Sequence, residues 1–219
     1  MEDKELSHED SLRLINTMIN KAKNSYHDTG VGPILWGTVV GICGLVSFFR
    51  IQYKFTLPFD IWLLTLIAIL PQIYLGVKAS RTRKVKAYEE NTMDAVWICF
   101  GVGIFILSFI SGFVYNNFHP MVEEYARRNP GVSVLNYDSF STAFFLLWYG
   151  FPTIITGVLR NFKPMLAGGI LCWILCIVSV FTPLKIDMLL TSAAAIFAWL
   201  IPGVILWKRF KKRKAAHGI

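Results

Sequence analysis

The chain has 219 residues, 54% of them apolar and only 16% charged, with a formal net charge of +8. Average soluble domains carry roughly 25% charged residues, so polar surface is too scarce here to cover a water-soluble globule of this size. The six stretches 31–49, 61–77, 95–118, 139–159, 164–184 and 188–207 hold no Asp, Glu, Lys or Arg. Each approaches the roughly 20 residues that a helix needs to cross about 30 Å of hydrocarbon. Lipid-exposed backbone must bond internally, and continuous apolar runs do not alternate as barrel strands do. The expected fold is therefore all-α, a polytopic transmembrane bundle of six helices.

Residues 1–30 contain Glu2, Asp3, Glu5, Glu9 and Asp10 and no apolar run, so no cleavable signal is expected and insertion begins at the first span. Ser7 and Asp10 have N-cap and N3 character. Leu12, Ile15, Met18, Ile19, Ala22 and Tyr26 follow at three- and four-residue steps, predicting an amphipathic helix that ends near Gly30. Its apolar stripe, within residues 9–26, is expected to lie on the cytoplasmic membrane face, to pack on loop residues such as Val85 and Tyr88, or to dock a cytoplasmic protein.

The bundle is expected over residues 31–207, with spans at about 31–49, 58–77, 94–115, 139–159, 164–183 and 187–207. Helix two carries Pro71 and Gln72 inside its apolar run, helix four carries Gly150, Phe151 and Pro152, and helix six carries Ile201, Pro202 and Gly203. A proline frees a backbone carbonyl, which neighbours or water must satisfy in a bilayer. Three such sites could surround one cavity lined by Pro71, Gln72, Tyr149, Pro152, Thr153, Thr156 and Pro202. Interhelical hydrogen bonding and helix fitting are the plainer explanations of the same residues. Between helices three and four, residues 116–138 form the one substantial loop, where Pro120 to Arg128 predicts a short helix with Glu123–Arg127 and Glu124–Arg128 pairs.

Of the 22 Lys and Arg, all but Arg50, Lys54, Arg127, Arg128 and Lys185 fall in the segments before span one, between spans two and three, between spans four and five, and after span six. The positive-inside tendency puts that side, and both termini, in the cytoplasm of a cell inner membrane. The tail, residues 208–219, carries Lys208, Arg209, Lys211, Lys212, Arg213 and Lys214, suited to anionic headgroups. These cations lack interleaved aromatic platforms, so nucleic acid is not an expected partner.

Catalytic chemistry is poorly represented. Neither an HExxH motif nor paired intramembrane aspartates occur, and all four histidines lie outside the spans. Cys43, Cys99, Cys172 and Cys176 read as small buried hydrophobes rather than metal ligands, and no cofactor is expected. His119 and Glu123 have a helical spacing that could supply two ligands, which is too few for a site. Arg50, Asp60, Asp94 and Asp187 sit at span ends, the ordinary snorkelling positions, which argues against a proton-driven pump. Small-residue pairs at Gly37–Gly41, Ser108–Gly112 and Ala194–Ala198 permit close helix contact inside a monomer or across a homo-oligomer.

The Ser11-Leu12 helix running through Lys23, Leu35-Trp36-Gly37, Gly168-Gly169-Ile170-Leu171-Cys172-Trp173 and Ile201-Pro202-Gly203 together resemble a family of bacterial six-helix integral membrane proteins without an established activity. The resemblance implies a six-helix membrane fold, accompaniment of small transcriptional regulators by some members, and no catalytic residue to carry over. The reading reached is a non-enzymatic regulatory or envelope-associated protein binding a protein or lipid partner. Its alternative is a small-solute permease or lipid-handling transporter.

Overall fold

A computed structural model of the chain describes residues 29–82, 88–130 and 137–216. The amphipathic helix expected over residues 9–26 and the loop residue Val85 lie outside the described residues. Among those described, every regular element is helical: α1 (Val31–Tyr53), α2 (Leu63–Thr82), α3 (Tyr88–Arg128), α4 (Tyr137–Leu159), α5 (Lys163–Ser179), α6 (Leu184–Ala195), a π-helical turn (Ile196–Leu200) and α7 (Ile201–Ala216). Four helical stretches are long and apolar enough to cross a membrane: Val31–Tyr53, Asn91–Arg128, Phe140–Leu159 and Leu184–Ala215. Leu63–Lys78 and Lys163–Ser179 are apolar but shorter.

Local sequence accounts for where these helices start and stop. Gly30 adopts φ +69°, a left-handed conformation that a side chain would resist, and it lies against Leu206 and the Trp207 backbone where a Cβ would clash. Before α2, Asp60 Oδ1 accepts the Trp62 N–H at 3.0 Å, an Asx-turn that delays the helix to Leu63 rather than Pro58. At the end of α4 the Asn161 N–H bonds to Val158 O and the Phe162 N–H to Gly157 O at 2.8 Å, with Asn161 at φ 47°. That is a Schellman ending in which asparagine takes the left-handed place usual for glycine. α3 does not stop at residue 115. It runs on through Pro120 to Arg128, so the predicted short helix is the end of a 41-residue helix, and Arg127 and Arg128 pair with Glu123 and Glu124 as the spacing required.

Packing follows the glycines. As α1 rises, its partners on α6, the π turn and α7 descend: Gly44 meets Met188 and Ser192, Gly41 meets Ile196, and Gly37 meets Leu200. The two strands of helix are thus antiparallel. A Cβ on Gly37 would fall 2.8 Å from Leu200 Cα, and one on Gly44 2.8 Å from Met188 O, so only glycine lets the backbones approach this closely. Ser192 Oγ then donates to Gly41 O at 3.0 Å across the crossing. α4 and α5 pair in the same manner through Gly150, Gly157 and Gly169. Gly168 of α5 faces the Phe197 and Ala198 backbone of the π turn.

α1, α4, α5 and the α6–π–α7 rod therefore make a close-packed centre, whose buried residues include Val40, Leu146, Met165, Cys172, Ala194, Ala198 and Trp199. α2 leans on α1, and α3 on α4. None of the most apolar window of α3 is buried, and Phe105, Phe109 and Phe113 stand open on it. An apolar face that size would aggregate in water but is the ordinary condition of a helix bathed in lipid. Gly101 and Gly112 on α3 have no neighbour within 4 Å, so the Ser108–Gly112 pair, unlike Gly37–Gly41 and Ala194–Ala198, makes no close helix contact among the described residues.

Candidate functional site

Two regions carry polar chemistry inside the bundle. The first lies where α4 meets the π turn. Pro152 cannot donate to the Trp148 carbonyl, and Pro202 cannot donate to that of Ala198. Directly before Pro202 the ladder resets, the Ile201 N–H bonding to Ile196 O five residues back. This reset swings Trp199 towards α4. Its Nε1–H donates to Thr153 Oγ1 at 2.9 Å, and that hydroxyl donates onward to Tyr149 O at 2.7 Å. Thr156 Oγ1 donates to Pro152 O at 2.6 Å.

Rings complete the region. The Trp199 ring centroid lies 4.8 Å from Tyr149, 5.9 Å from Phe100 and 6.4 Å from Trp97, with edge-on or tilted geometry throughout. Trp148 anchors α3 beside this cluster by donating Nε1–H to Phe100 O at 3.1 Å. Tyr149, Pro152, Thr153, Thr156 and Pro202, expected to line a cavity, are all buried, and the two threonine hydroxyls are spent on backbone and indole. The remaining two candidates stand elsewhere. Pro71 is exposed on α2, and the neighbouring Gln72 points its Oε1 at Gly32 of α1, where that oxygen is buried without a hydrogen bond.

The second region was misread from sequence. Asp187, placed among snorkelling residues, is fully buried in the first turn of α6. Its Oδ1 accepts a hydrogen bond from Thr182 Oγ1, while Oδ2 is buried with no hydrogen-bond partner. Three residues past a Pro-Leu step the position looks like a helix start at a membrane surface. What the linear sequence hides is that the α5 C-terminus folds over it. The one available signal was Thr182, a hydroxyl five residues upstream across a tight Pro183 connection.

Cations gather at the opposite end of the bundle. The Schellman turn presents Arg160 and Lys163 on either side of buried Phe162, and the Arg209 guanidinium of α7 sits 5.2 Å from the Phe162 ring centroid. Lys211 Nζ lies 3.8 Å from the Trp207 ring. Burial lowers the Arg160 guanidinium to about 10, still charged at neutral pH. Lys208, Lys212, Arg213 and Lys214 continue on α7, so the basic segment is the end of a helix and not a loose tail.

Among the described residues no three His, Cys, Asp or Glu converge. His119 Nδ1 lies 3.9 Å from Glu123 Oε1 on an exposed face. Cys43 donates its thiol to Ile61 O at 3.3 Å, Cys172 is buried, and Cys99 is exposed. No protein-family model, curated protein or solved structure matches the chain.

Proposed function

We propose that this chain is a non-enzymatic, six-span protein of the cytoplasmic membrane, with both ends in the cytoplasm, that docks a protein or lipid partner in a regulatory or envelope-maintenance role. In this arrangement the end bearing Arg160, Lys163 and α7 faces the cytoplasm, beside residues 9–26. α2 and α5 complete the six spans, their shorter apolar lengths extended by the flanking turns. The observation that supports the reading is the Tyr149–Thr153–Trp199 arrangement: polar groups that would have to greet a solute are bonded to one another instead. A rigid, filled centre suits an anchor. Anionic headgroups fit the basic end, each cation near such a surface contributing roughly 1 kcal/mol.

Deleting residues 1–28 tests the docking role. Partner co-purification should disappear while membrane insertion persists; unchanged co-purification excludes that segment as the docking element. A small-solute permease or lipid-handling transporter is the second reading, and the buried Asp187 is what favours it, since an ionisable side chain inside a bundle commonly marks an ion or substrate path. Uptake into proteoliposomes that is abolished by Asp187→Asn would support it over the docking role.

A further inference from the structure

Asp187 has an environment that a helix-starting aspartate does not need. It occupies the first turn of α6, where the helix dipole favours a carboxylate, yet it caps nothing: the Ile186 and Asp187 N–H groups both bond back to Pro183 O, at 2.8 and 3.2 Å. Its main chain is held from the other side by Thr191 Oγ1, which donates to Asp187 O at 2.9 Å. The carboxylate is therefore turned towards the end of α5. Facing it is the last turn of α5, whose Val178 and Ser179 carbonyls accept the Phe181 N–H at 3.0 Å and the Thr182 N–H at 3.4 Å and each keep a second lone pair. Thr182 Oγ1, which bonds Asp187 Oδ1, stands 3.4 Å from both Val178 O and Ser179 O.

A carboxylate and two carbonyl oxygens thus gather around one hydroxyl, whose single proton goes to Asp187 Oδ1. A single donated proton does not neutralise a buried carboxylate, which needs a full positive charge beside it. Lys185 does not supply that charge. Its Nζ is turned to α1, 5.7 Å from the Phe48 ring. Buried Oδ2 has no hydrogen bond among the described residues, and a buried carboxylate oxygen left so costs more than most interactions in the bundle return.

We infer that Asp187, Thr182 and the carbonyl end of α5 form a binding site for a small monovalent cation of sodium size. The donors are all hard oxygens, which suit an alkali cation and not a soft transition metal. One carboxylate balances one positive charge, so a divalent ion would leave an uncompensated charge in the bundle. Helix C-terminal carbonyls joined to a side-chain carboxylate are a recurrent way for membrane proteins to hold such an ion. The site is separate from the basic end that would meet headgroups, Arg160 and Arg209 lying at the opposite end of the bundle.

Thermal unfolding of the purified full-length protein in detergent tests the inference, with sodium chloride titrated against choline chloride at constant ionic strength. Sodium should raise the wild-type melting temperature saturably, by about 5 °C at concentrations well above its dissociation constant. Asp187→Asn should abolish the rise, and Thr182→Val should weaken apparent sodium affinity about tenfold while keeping the fold. Equal melting in sodium and choline for the wild type overturns the proposal, whatever the variants do. So does a wild type indifferent to both salts but stabilised by acidification, which would mean that Asp187 holds a proton. If Asp187→Asn fails to fold, the wild-type titration and Thr182→Val decide alone.

Discussion

Replacing Thr153 by valine removes one oxygen and little volume, and it distinguishes a filled centre from a wet one. In the folded chain Thr153 Oγ1 accepts the Trp199 indole N–H and donates to Tyr149 O. Valine leaves that N–H buried without an acceptor, because Trp199 is itself only 2% exposed. An unsatisfied buried donor costs about 1–3 kcal/mol, whereas a direct hydrogen bond between membrane helices contributes on average about 0.6 and at most about 1.7 kcal/mol. The expected loss for Thr153→Val is thus about 1–2 kcal/mol. Trp199→Phe in the same background removes the orphaned donor, so the double variant should be more stable than the two single losses predict, by about 0.5–1.5 kcal/mol. Equilibrium unfolding by a denaturing detergent titrated into mixed micelles, followed by helical circular dichroism, gives all four free energies. If Thr153→Val costs under about 0.3 kcal/mol and the cycle is additive, the indole donor has water to turn to. The filled-centre argument would then be refuted, and the permease reading gains.

Three other outcomes follow from the packing and the charges. Gly168→Ala and Gly44→Ala should each destabilise by about 1–3 kcal/mol, since an added Cβ falls 2.8 Å from Phe197 O or Met188 O, whereas Gly112→Ala, with nothing within 4 Å, should be neutral or stabilise by up to about 1 kcal/mol through helix propensity; the same unfolding assay ranks them. Arg128→Ala breaks an exposed pair with Glu124 and should change stability by less than about 0.5 kcal/mol, an effect that vanishes in high salt. Burial brings Arg160 from 12.5 down to about 10, so the folded chain holds that proton less tightly than the unfolded one, and the cost is present below pH 10 and relieved as pH rises through it. The melting-temperature difference between Arg160→Gln and wild type should accordingly shift against the variant between pH 8 and pH 11; a constant difference refutes the linkage.

Absence of charge made the helices legible, because a bilayer tolerates so few alternatives for a twenty-residue apolar run. Their ends were less so. α3 continues past residue 115 since nothing after it breaks a helix: Pro120 frees one carbonyl, and Glu123, Glu124, Arg127 and Arg128 pair along the face that leaves the apolar segment. Asp60 delays α2 by a side-chain bond that no periodicity records. Among the polar candidates, Tyr149, Thr153 and Thr156 share a face by their spacing, which is why they were visible together. Their indole partner was not, since Trp199 reaches Thr153 only after a π turn shifts the helix phase, and one extra residue in a turn has no signature in composition. Asp187 was misplaced for a related reason. Depth in a bundle depends on what folds over a residue, and the end of α5 does so through a connection too short to notice.

The same glycines that lock the centre also bear on which parts could move. Gly37, Gly44 and Gly168 bring backbones so near that α1, α5 and the α6–π–α7 rod cannot slide without collision. α2 and α3 are held by side chains rather than by backbone contact: Gly76, Gly101 and Gly112 meet nothing within 4 Å, while α3 touches the core through Gly103 against the Trp148 ring and through Trp97 and Phe100 against Trp199. Any large motion would therefore be a displacement of α2 or α3 against a fixed core. The joints are specific. α3 is held at Trp148, whose indole bonds Phe100 O beside Gly103, and α2 faces α1 through Gln72 and Gly32. Paired spin labels at Ile106 and Phe144 should show a broader distance distribution than labels at Ile42 and Phe197, and Trp148→Phe should broaden the first pair alone. Equal widths for both pairs would mean that lipid-facing α3 is as fixed as the core, and the division between a locked centre and mobile flanks would fail.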